Sequence, residues 1–304
     1  MNKYEKFEGL IPGDGNPFWN QSYYWNCYDP ETRSGVLVRL GFMENRQQAN
    51  SWLIAFKDGQ PLFTRTNQNL PYTTDRPDPG VTIAGMTITA EVPLKKTRIR
   101  FDAPDFSLDL VWDERNPMAD VMAISSGDTG TFAESLAHVH LEGTCNVAGQ
   151  FVHRGVTTRI AGNGFRDVAA GHRDWDALNH YRLMWPVFND GTAFVGIHGM
   201  STSGQSAYMR MYHDGEKWCR VTDIEDHMVY EDGLFSVSSG DWRFTDEKGR
   251  KFRFEAKPLF GWLFPLDTFV LREQIMEFRV DGKVAGYGMC EQGYRLPWKG
   301  IASG

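Results

Sequence analysis

Asp-Gly pairs recur along this chain between short apolar segments, and they constrain the possible folds more than any other feature. The pairs lie at 58–59, 190–191, 214–215, 232–233 and 281–282. Asp and Gly tolerate the positive φ angles of tight turns, so each pair indicates a β-hairpin. Nearby segments alternate between apolar and polar residues, as Phe252 and Phe254 do with Lys251 and Arg253. This period of two predicts antiparallel sheets with one wet face.

The chain shows no long segment of helical periodicity. Many short strands joined by hairpins, with few helices, are typical of β-barrels and β-sandwiches. A single antiparallel barrel rarely uses 304 residues, so the sequence predicts an all-β chain of two packed antiparallel barrels. We place the boundary after Trp175, which gives domains 1–175 and 176–304. Because no linker rich in Pro, Gly or Ser marks this point, we expect the two halves to pack tightly.

Charge and cysteine content narrow the class of protein. The formal net charge of −7 is the opposite of the basic surface that a nucleic-acid partner requires. The first residues contain no apolar segment of a signal peptide, and no stretch suits a membrane span. The four cysteines are far apart and suit reduced thiols. These features predict a cytoplasmic protein without a nucleic-acid partner or membrane span, and they leave the oligomeric state open.

Residues 162–175 bring together more kinds of chemically active side chain than any other short segment that we single out. They hold two arginines, two aspartates, one histidine and one tryptophan, with three glycines between them. Charged groups this close in sequence form either a structural ion-pair network or a site with shifted pKa values. In the first alternative, a network of four residues pins the two halves together: Arg166, Asp167, Arg173 and Asp174. In the second, the same residues belong to a functional site.

Several segments resemble the AttH and carotenoid 1,2-hydratase-like family. They are residues 23–30 (YYWNCYDP), 35–41 (GVLVRLG), Glu142 together with 162–175, and 286–291 (GYGMCE). The resemblance implies two lipocalin-like (calycin-like) barrels and a cavity for an unsaturated hydrophobic molecule, without an organic cofactor. The family includes hydratases and pericyclic cyclases.

The sequence departs from that family pattern at one place. The family often has Arg-Asp-His-x-Trp-Gly, whereas this chain has Val168 and Ala170 at the His and Trp positions, after Arg166 and Asp167. If the imidazole and indole take part in proton transfer, that role is lost here or has moved to His172.

The chemistry that the resemblance implies needs particular groups. Adding water to an alkene, or closing a ring onto it, requires an acid that protonates carbon and an apolar, aromatic pocket. A carboxyl group whose pKa is raised by burial can be that acid. Asp167 and Asp174 are therefore candidates for acid or base, with His172 as partner. Arg166 and Arg173 are candidates for orienting a polar ligand group, and the further pocket candidates are Trp175, Trp25, Tyr24, His140 and Glu142.

The leading hypothesis is a cofactor-free hydratase, isomerase or cyclase. Its substrate would be an unsaturated hydrophobic metabolite, such as a terpenoid, polyketide or phenylpropanoid, bound in a cavity near the junction of the barrels. On this hypothesis, replacing Asp174 with Asn abolishes turnover but not binding. The alternative is a carrier that binds the same molecules without chemistry, because an aromatic pocket serves both functions.

A third hypothesis concerns the alternating run His138-x-His140-x-Glu142. On a strand these three side chains share one face, and two imidazoles with a carboxylate can hold a metal ion. A polar barrel face with hydrogen-bonded histidines explains the same pattern, and it is the interpretation that we favour. His198 is read in the same way, as an ordinary strand residue.

Overall fold

The computed structural model describes residues 2–73, 75, 79–125, 136–231, 236–266 and 269–296. The first ten strands form one antiparallel sheet in the order β4-β3-β2-β1-β10-β9-β8-β7-β6-β5. Their bounds are β1 Trp19–Asp29, β2 Ser34–Met43, β3 Gln48–Lys57, β4 Gln60–Pro71, β5 Gly80–Ile83, β6 Met86–Val92, β7 Lys96–Ala103, β8 Phe106–Asp120, β9 Val139–His153 and β10 Val156–His172. Short 3₁₀ helices lie at Glu5–Glu8 and Glu44–Arg46, and helix α1 spans Val121–Ile124.

The remaining eight strands form a closed antiparallel barrel in which each strand pairs with its neighbours in the sequence. Their bounds are β11 Leu178–Phe188, β12 Ala193–Ser201, β13 Ser206–His213, β14 Trp218–Tyr230, β15 Val237–Asp246, β16 Lys251–Leu266, β17 Phe269–Val280 and β18 Lys283–Arg295. β18 closes the barrel by pairing with β11. The all-β, lipocalin-like fold predicted from the sequence is confirmed. Among the described residues, no helix has the length and hydropathy of a membrane span.

The Asp-Gly pairs act as turns where the structure describes them. At 58–59 and at 281–282 both residues have positive φ angles, 51° and 73° in the first pair and 50° and 75° in the second. Two successive positive φ angles are the signature of the tight turns that match the twist of paired strands. The pair at 232–233 lies outside the described residues.

The first sheet curls until its two ends share one core. Phe63 on β4 stacks on Phe106 of β8, with ring centroids 4.3 Å apart, and also contacts Phe101 on β7. These strands lie far apart in the order of the sheet, so the contact requires strong curvature. The concave side holds a large apolar core that includes Trp25, Trp112 and Phe151. The sheet is therefore a half-barrel filled by its own side chains.

The convex side of β1, β2, β3 and β10 packs against the outer face of the second barrel. Phe56 on β3 stacks on Phe260 of β16 with centroids 4.1 Å apart, and Trp52 stacks on Phe264 at 4.0 Å. These rings belong to one apolar cluster that contains residues of both halves. We propose that the domain boundary lies after Trp175, in the connection between β10 and β11, and that the shared cluster makes the two halves unfold together.

Replacing Phe56 with Ala is expected to destabilise the whole chain by about 3–5 kcal/mol, because it removes a buried ring from this interface. Chemical denaturation followed by tryptophan fluorescence and by circular dichroism measures the effect, and both probes should report one transition. The matched control Val156→Ala, at a position 66% exposed, should change the free energy of unfolding by less than about 0.5 kcal/mol. Two separate transitions would show that the halves are independent.

Candidate functional site

A cavity of about 90 Å³ lies between the two sheets. This volume has room for a handful of water molecules or for one small organic group. The apolar part of its lining includes Trp175, Leu183, Trp185 and Leu271. The polar part comes from both halves: Ser22, Tyr24, Arg39, His140, Asp167 and Arg173 from the first sheet, and Tyr181 and Glu291 from the barrel.

Strand register brings the polar groups of the first sheet together. Tyr24 pairs with Arg39 on one side and with Asp167 on the other, and Asp167 pairs with Glu142. Residues opposite each other in neighbouring strands point to the same face of a sheet. A row of ionisable side chains therefore crosses four adjacent strands on the convex face, where the barrel covers it.

His140, Glu142 and Asp167 form a buried triad. The Nε2 atom of His140 lies 2.9 Å from a carboxyl oxygen of Asp167 and 2.9 Å from one of Glu142. Burial by itself would lower the pKa of His140, but the neighbouring carboxylates of Asp167 and Glu142 outweigh it and raise this pKa to about 10. The imidazole is therefore a cation at neutral pH.

One N–H cannot serve two carboxyl groups equally. Nε2 of His140 makes a hydrogen bond with Asp167, whereas neither buried oxygen of Glu142 has a hydrogen-bond partner of good geometry among the described residues. Burial, reinforced by the charge of Asp167, raises the pKa of Glu142 well above its ordinary value. The triad therefore centres on an ion pair between His140 and Asp167, and the raised pKa of Glu142 favours its neutral form beside that pair.

The barrel contributes a second pair of buried acids. Glu273 on β17 and Glu291 on β18 are register partners, and like charges directly opposite each other are unfavourable. Burial raises the pKa of both, that of Glu273 well above its ordinary value, and the negative charge of Glu291 adds to the rise for Glu273. The hydroxyl of Tyr24 donates to Glu273 at 2.7 Å, and that of Tyr181 donates to Glu291. The raised pKa values therefore favour a proton held by the pair.

Two arginines complete the polar lining. Arg39 is buried, lies over the ring of Trp52 at 4.7 Å and donates to Asn50 at 2.7 Å. Arg173 donates to the hydroxyl of Ser22 and to the backbone oxygen of Leu136, both at 3.2 Å. The charges of both arginines act on Glu291 and oppose the rise of its pKa. Three cations, counting His140, thus line the cavity together with two acids, Asp167 and Glu291. Two further acids, Glu142 and Glu273, are buried beside it.

Comparison with known proteins identifies the family. The signature of a family described as a domain of unknown function, DUF7064, matches residues 11–293. This chain belongs to the DUF7064 family. No curated protein matches the sequence.

Solved structures with the same fold confirm the predicted resemblance for this DUF7064 protein. One, from Nitrosomonas europaea and assigned as AttH, has a TM-score of 0.73 at 15% identity, and the match covers 97% of each chain. CghA with Sch210972 has a TM-score of 0.65 at 14% identity over 95% of this chain and 94% of that one. Kievitone hydratase from Nectria haematococca has a TM-score of 0.59 at 11% identity, also over 95% and 94%. At these identities the likeness concerns the fold.

Part of the predicted site lies in the cavity of this DUF7064 protein. Tyr24, His140, Asp167, Arg173 and Trp175 line it. Glu142 lies directly behind His140 and is fully buried. Trp185 also lines the cavity, whereas Trp262 and Phe264 lie in the apolar interface around it.

Other predicted residues lie elsewhere. Arg166 points to the concave side of the first sheet and pairs with Glu8. Trp25 lies in that same core. His172 contacts Asp14 near the surface. Asp174 caps the turn that follows β10 by accepting a hydrogen bond of 2.8 Å from the backbone N–H of Asp176.

The four charged residues of 162–175 do not form the alternative structural network. Within the described ranges, Arg166, Asp167, Arg173 and Asp174 make no ion pair with one another; the partners of the first two are Glu8 and His140. Alternation along β10 separates Arg166 from Asp167, because neighbours in a strand point to opposite faces.

Sequence reasoning missed four residues of the site: Arg39, Tyr181, Glu273 and Glu291. Two of them lie inside the segments that carry the family resemblance, Arg39 in 35–41 and Glu291 at the end of 286–291. A charged residue within an otherwise apolar strand is the signal that indicates burial with a partner. Tyr181 and Glu273 carry no comparable signal.

The metal hypothesis takes a different form in the structure. His138 precedes β9, is exposed and packs its ring against His172 at 4.5 Å. Asp167 lies beside His140 and Glu142 instead, and one ligand atom from each of these three lies within 4.8 Å of the others. A proton on His140 and a bound cation compete for the charge of the same two carboxylates, because a histidine that binds a metal must be deprotonated. The hydrogen-bonded histidine stays the interpretation that we favour.

The free energy of unfolding is expected to fall as pH rises from about 6.5 to about 10, between the ordinary pKa of histidine and that of His140 here. In this window the folded state holds a proton that the unfolded state has released. The contribution of this proton to the free energy of unfolding is therefore complete below the window and is lost progressively as the pH rises through it. Glu142 acts in the same direction at lower pH. Denaturation curves measured across this range test the expectation.

The variant His140→Gln should flatten this dependence, whereas His227→Gln, at an exposed position, should leave it unchanged. An NMR titration in which the His140 imidazole loses its proton near pH 6.5 would contradict the proposed triad.

Proposed function

We propose that this protein is a cofactor-free hydratase, isomerase or cyclase that acts by acid–base chemistry on an unsaturated hydrophobic metabolite, whose reacting group lies in the cavity between its two halves. The observation that carries the proposal is that two carboxyl groups, each with its own partner, face each other across a cavity with aromatic walls. Asp167 with His140 lies on one wall, and Glu291 with Tyr181 lies on the other. Carboxyl groups in such different settings suit the separate roles of acid and base.

Glu291 is the candidate acid in this proposal. Its pKa is raised by burial and it shares its setting with Glu273, so the pair can give a proton to an alkene carbon and regain it. Asp167 is the candidate base, because His140 fixes its orientation and it faces the cavity. In a hydration, Glu291 supplies H⁺ to one carbon, water bonds to the other, and Asp167 takes the proton that water loses. In a cyclisation, a nucleophilic group of the substrate replaces the water.

The charge in the cavity favours one kind of substrate. The raised pKa values of Glu142 and of the Glu273–Glu291 pair favour protonated forms. With a proton on Glu142 and one on the pair, three cations face two carboxylates, Asp167 and one of that pair. A net positive site stabilises developing negative charge on oxygen better than it stabilises a carbocation. We therefore infer that the alkene is conjugated to a carbonyl or phenolic oxygen, as in many polyketides and phenylpropanoids. Arg39 and Arg173 are the candidates for binding that oxygen.

The structural relatives support this class of function. CghA was crystallised with the small molecule Sch210972, and kievitone hydratase is named for a hydration. Both share this fold across almost their full length. Because a fold alone does not determine chemistry, the proposal depends on the acids in this chain.

The variants Asp167→Asn and Glu291→Gln are expected to lower turnover by about 10²–10⁴-fold while leaving ligand binding within a few-fold, because each removes one proton-transfer group and keeps its shape. Asp174→Asn is the matched control and should retain full activity, since its side chain caps a turn away from the cavity. The sequence alone predicted this loss of turnover for Asp174→Asn, and we now expect it for Asp167→Asn instead.

Mass spectrometry on a library of hydrophobic enones, phenolics and plain terpenoid alkenes measures turnover and binding together. Products heavier by one water show a hydratase, and products of unchanged mass with new retention show an isomerase or cyclase. Compounds that bind unaltered to the parent chain and to both variants would support the carrier instead. Turnover of hydrocarbon alkenes alone would contradict the inferred oxygen group.

A further inference from the structure

The interior of the second barrel has two unlike parts. One part is apolar and includes Met184, Phe194, Phe244, Phe254 and Phe278. Because side chains alternate along a strand, the residues two positions beyond these on the same strands also point inward. Further along several of these strands the inward positions are occupied by charged or polar residues, such as Arg182, His198 and Arg272, which lie toward the other end of the barrel.

These residues form a cross-strand row. Arg272 on β17 pairs in register with Gln292 on β18, Gln292 with Arg182 on β11, Arg182 with His198 on β12, and His198 with Tyr208 on β13. We call this row, together with Arg210 on β13 and Asp226 on β14, the barrel basin. Most of its side chains are partly exposed, so this end of the interior is open to solvent.

The arginines of the barrel basin differ in how their charge is compensated. Arg182 is paired with Asp226 at 2.7 Å inside the barrel. Arg272 has no such internal carboxylate among the basin residues named above, and the charge that acts on it is that of Glu231, an exposed residue.

Arg272 is the basin arginine whose charge is least compensated by the described residues. Its side chain points inward on the same face of β17 as Gln274, which crosses the barrel to hydrogen-bond both backbone groups of Val237. Within the described part of the chain Arg272 makes no hydrogen bond or ion pair, and its Nε atom is buried without a partner. Burial lowers the pKa of Arg272. Arg272 is partly buried, and a guanidinium that has lost part of its hydration is costly unless an acceptor binds it.

His198 is an uncharged hydrogen-bonding group of the barrel basin. His198 lies 3.4 Å from Arg182 and stacks on Tyr208 with ring centroids 4.4 Å apart. Burial, and then the charges of Arg182, His180 and Arg210, lower the pKa of His198 to about 4. The imidazole is therefore neutral at physiological pH and adds no further positive charge.

We propose that the barrel basin binds the carboxylate or phosphate group of a small anionic ligand, with Arg272 as its principal contact. The planar guanidinium offers two parallel N–H donors, which match the two oxygens of a carboxylate or phosphate. The site is separate from the interface cavity, since Arg182 and Arg272 point into the barrel while their neighbours Tyr181 and Leu271 line that cavity.

Isothermal titration calorimetry with sodium octanoate and with inorganic phosphate, at constant ionic strength, tests the proposal. We expect saturable binding of at least one probe with one site per chain, weakening as salt is raised. Arg272→Gln should reduce the affinity at least about tenfold, because a charge-assisted bidentate contact is lost. The matched control Arg279→Gln, on the same strand, paired with Glu277 and 41% exposed, should bind as the parent chain does.

Circular dichroism and thermal midpoints establish that each variant is folded. Arg272→Lys, which keeps the charge but not the planar fork, should bind with intermediate affinity and serves if the Gln variant does not fold. Preference for octanoate or for phosphate distinguishes a carboxylate ligand from a phosphorylated one. No saturable binding of either probe, or equal binding by the parent and Arg272→Gln, would overturn the proposal. Asp167→Asn should leave this binding unchanged, so the outcome is independent of the proposed catalysis.

Discussion

The two sheets of this protein meet face to face over a layer that contains stacked aromatic rings and ionisable groups side by side. The rings, such as Phe56 on Phe260 and Trp52 on Phe264, stabilise the contact by burial and stacking. Their packing also removes the neighbouring carboxyl and guanidinium groups from water. Desolvation of a charge is expensive, so each of these groups must find an opposite charge, a hydrogen bond or a proton.

This requirement determines the chemistry of the cavity. Asp167 has the imidazolium of His140, and Arg39 has Asn50 and the face of Trp52. Glu142 and the Glu273–Glu291 pair have fewer partners, so protons compensate for part of their charge. The same packing that holds the halves together thus creates neutral carboxyl groups that can act as acids. A single apolar core without this polar layer would be the simpler way to gain stability, which indicates that the layer has a function.

Much of the fold was predictable from local signals, whereas the site was only partly so. Alternation and Asp-Gly turns predicted antiparallel hairpins, and the pairs at 58–59 and 281–282 have the required backbone angles. Alternation also shows that Arg166 and Asp167 point to opposite faces, but not which face the barrel covers. That choice depends on how the first sheet curls, through contacts such as Phe63 with Phe106, which join residues far apart in sequence. Glu291 lies at the site because of similar long-range packing, between the barrel and the first sheet.

Strand β11 shows how closely the two proposed sites are linked by geometry. Its residues Tyr181, Leu183 and Trp185 face the interface cavity, and Arg182 and Met184 between them face the barrel interior. A slip of one residue in its pairing would exchange the two sets, placing Arg182 against the acids and Tyr181 inside the barrel. The register of β11 with β12 and β18 is therefore constrained from both sides. The side chains on each face of β11 find their hydrogen-bonding, charged or apolar partners only in the surroundings of that face. Such a strand tolerates conservative changes within a face but not insertions, whichever of the two sites a given relative uses.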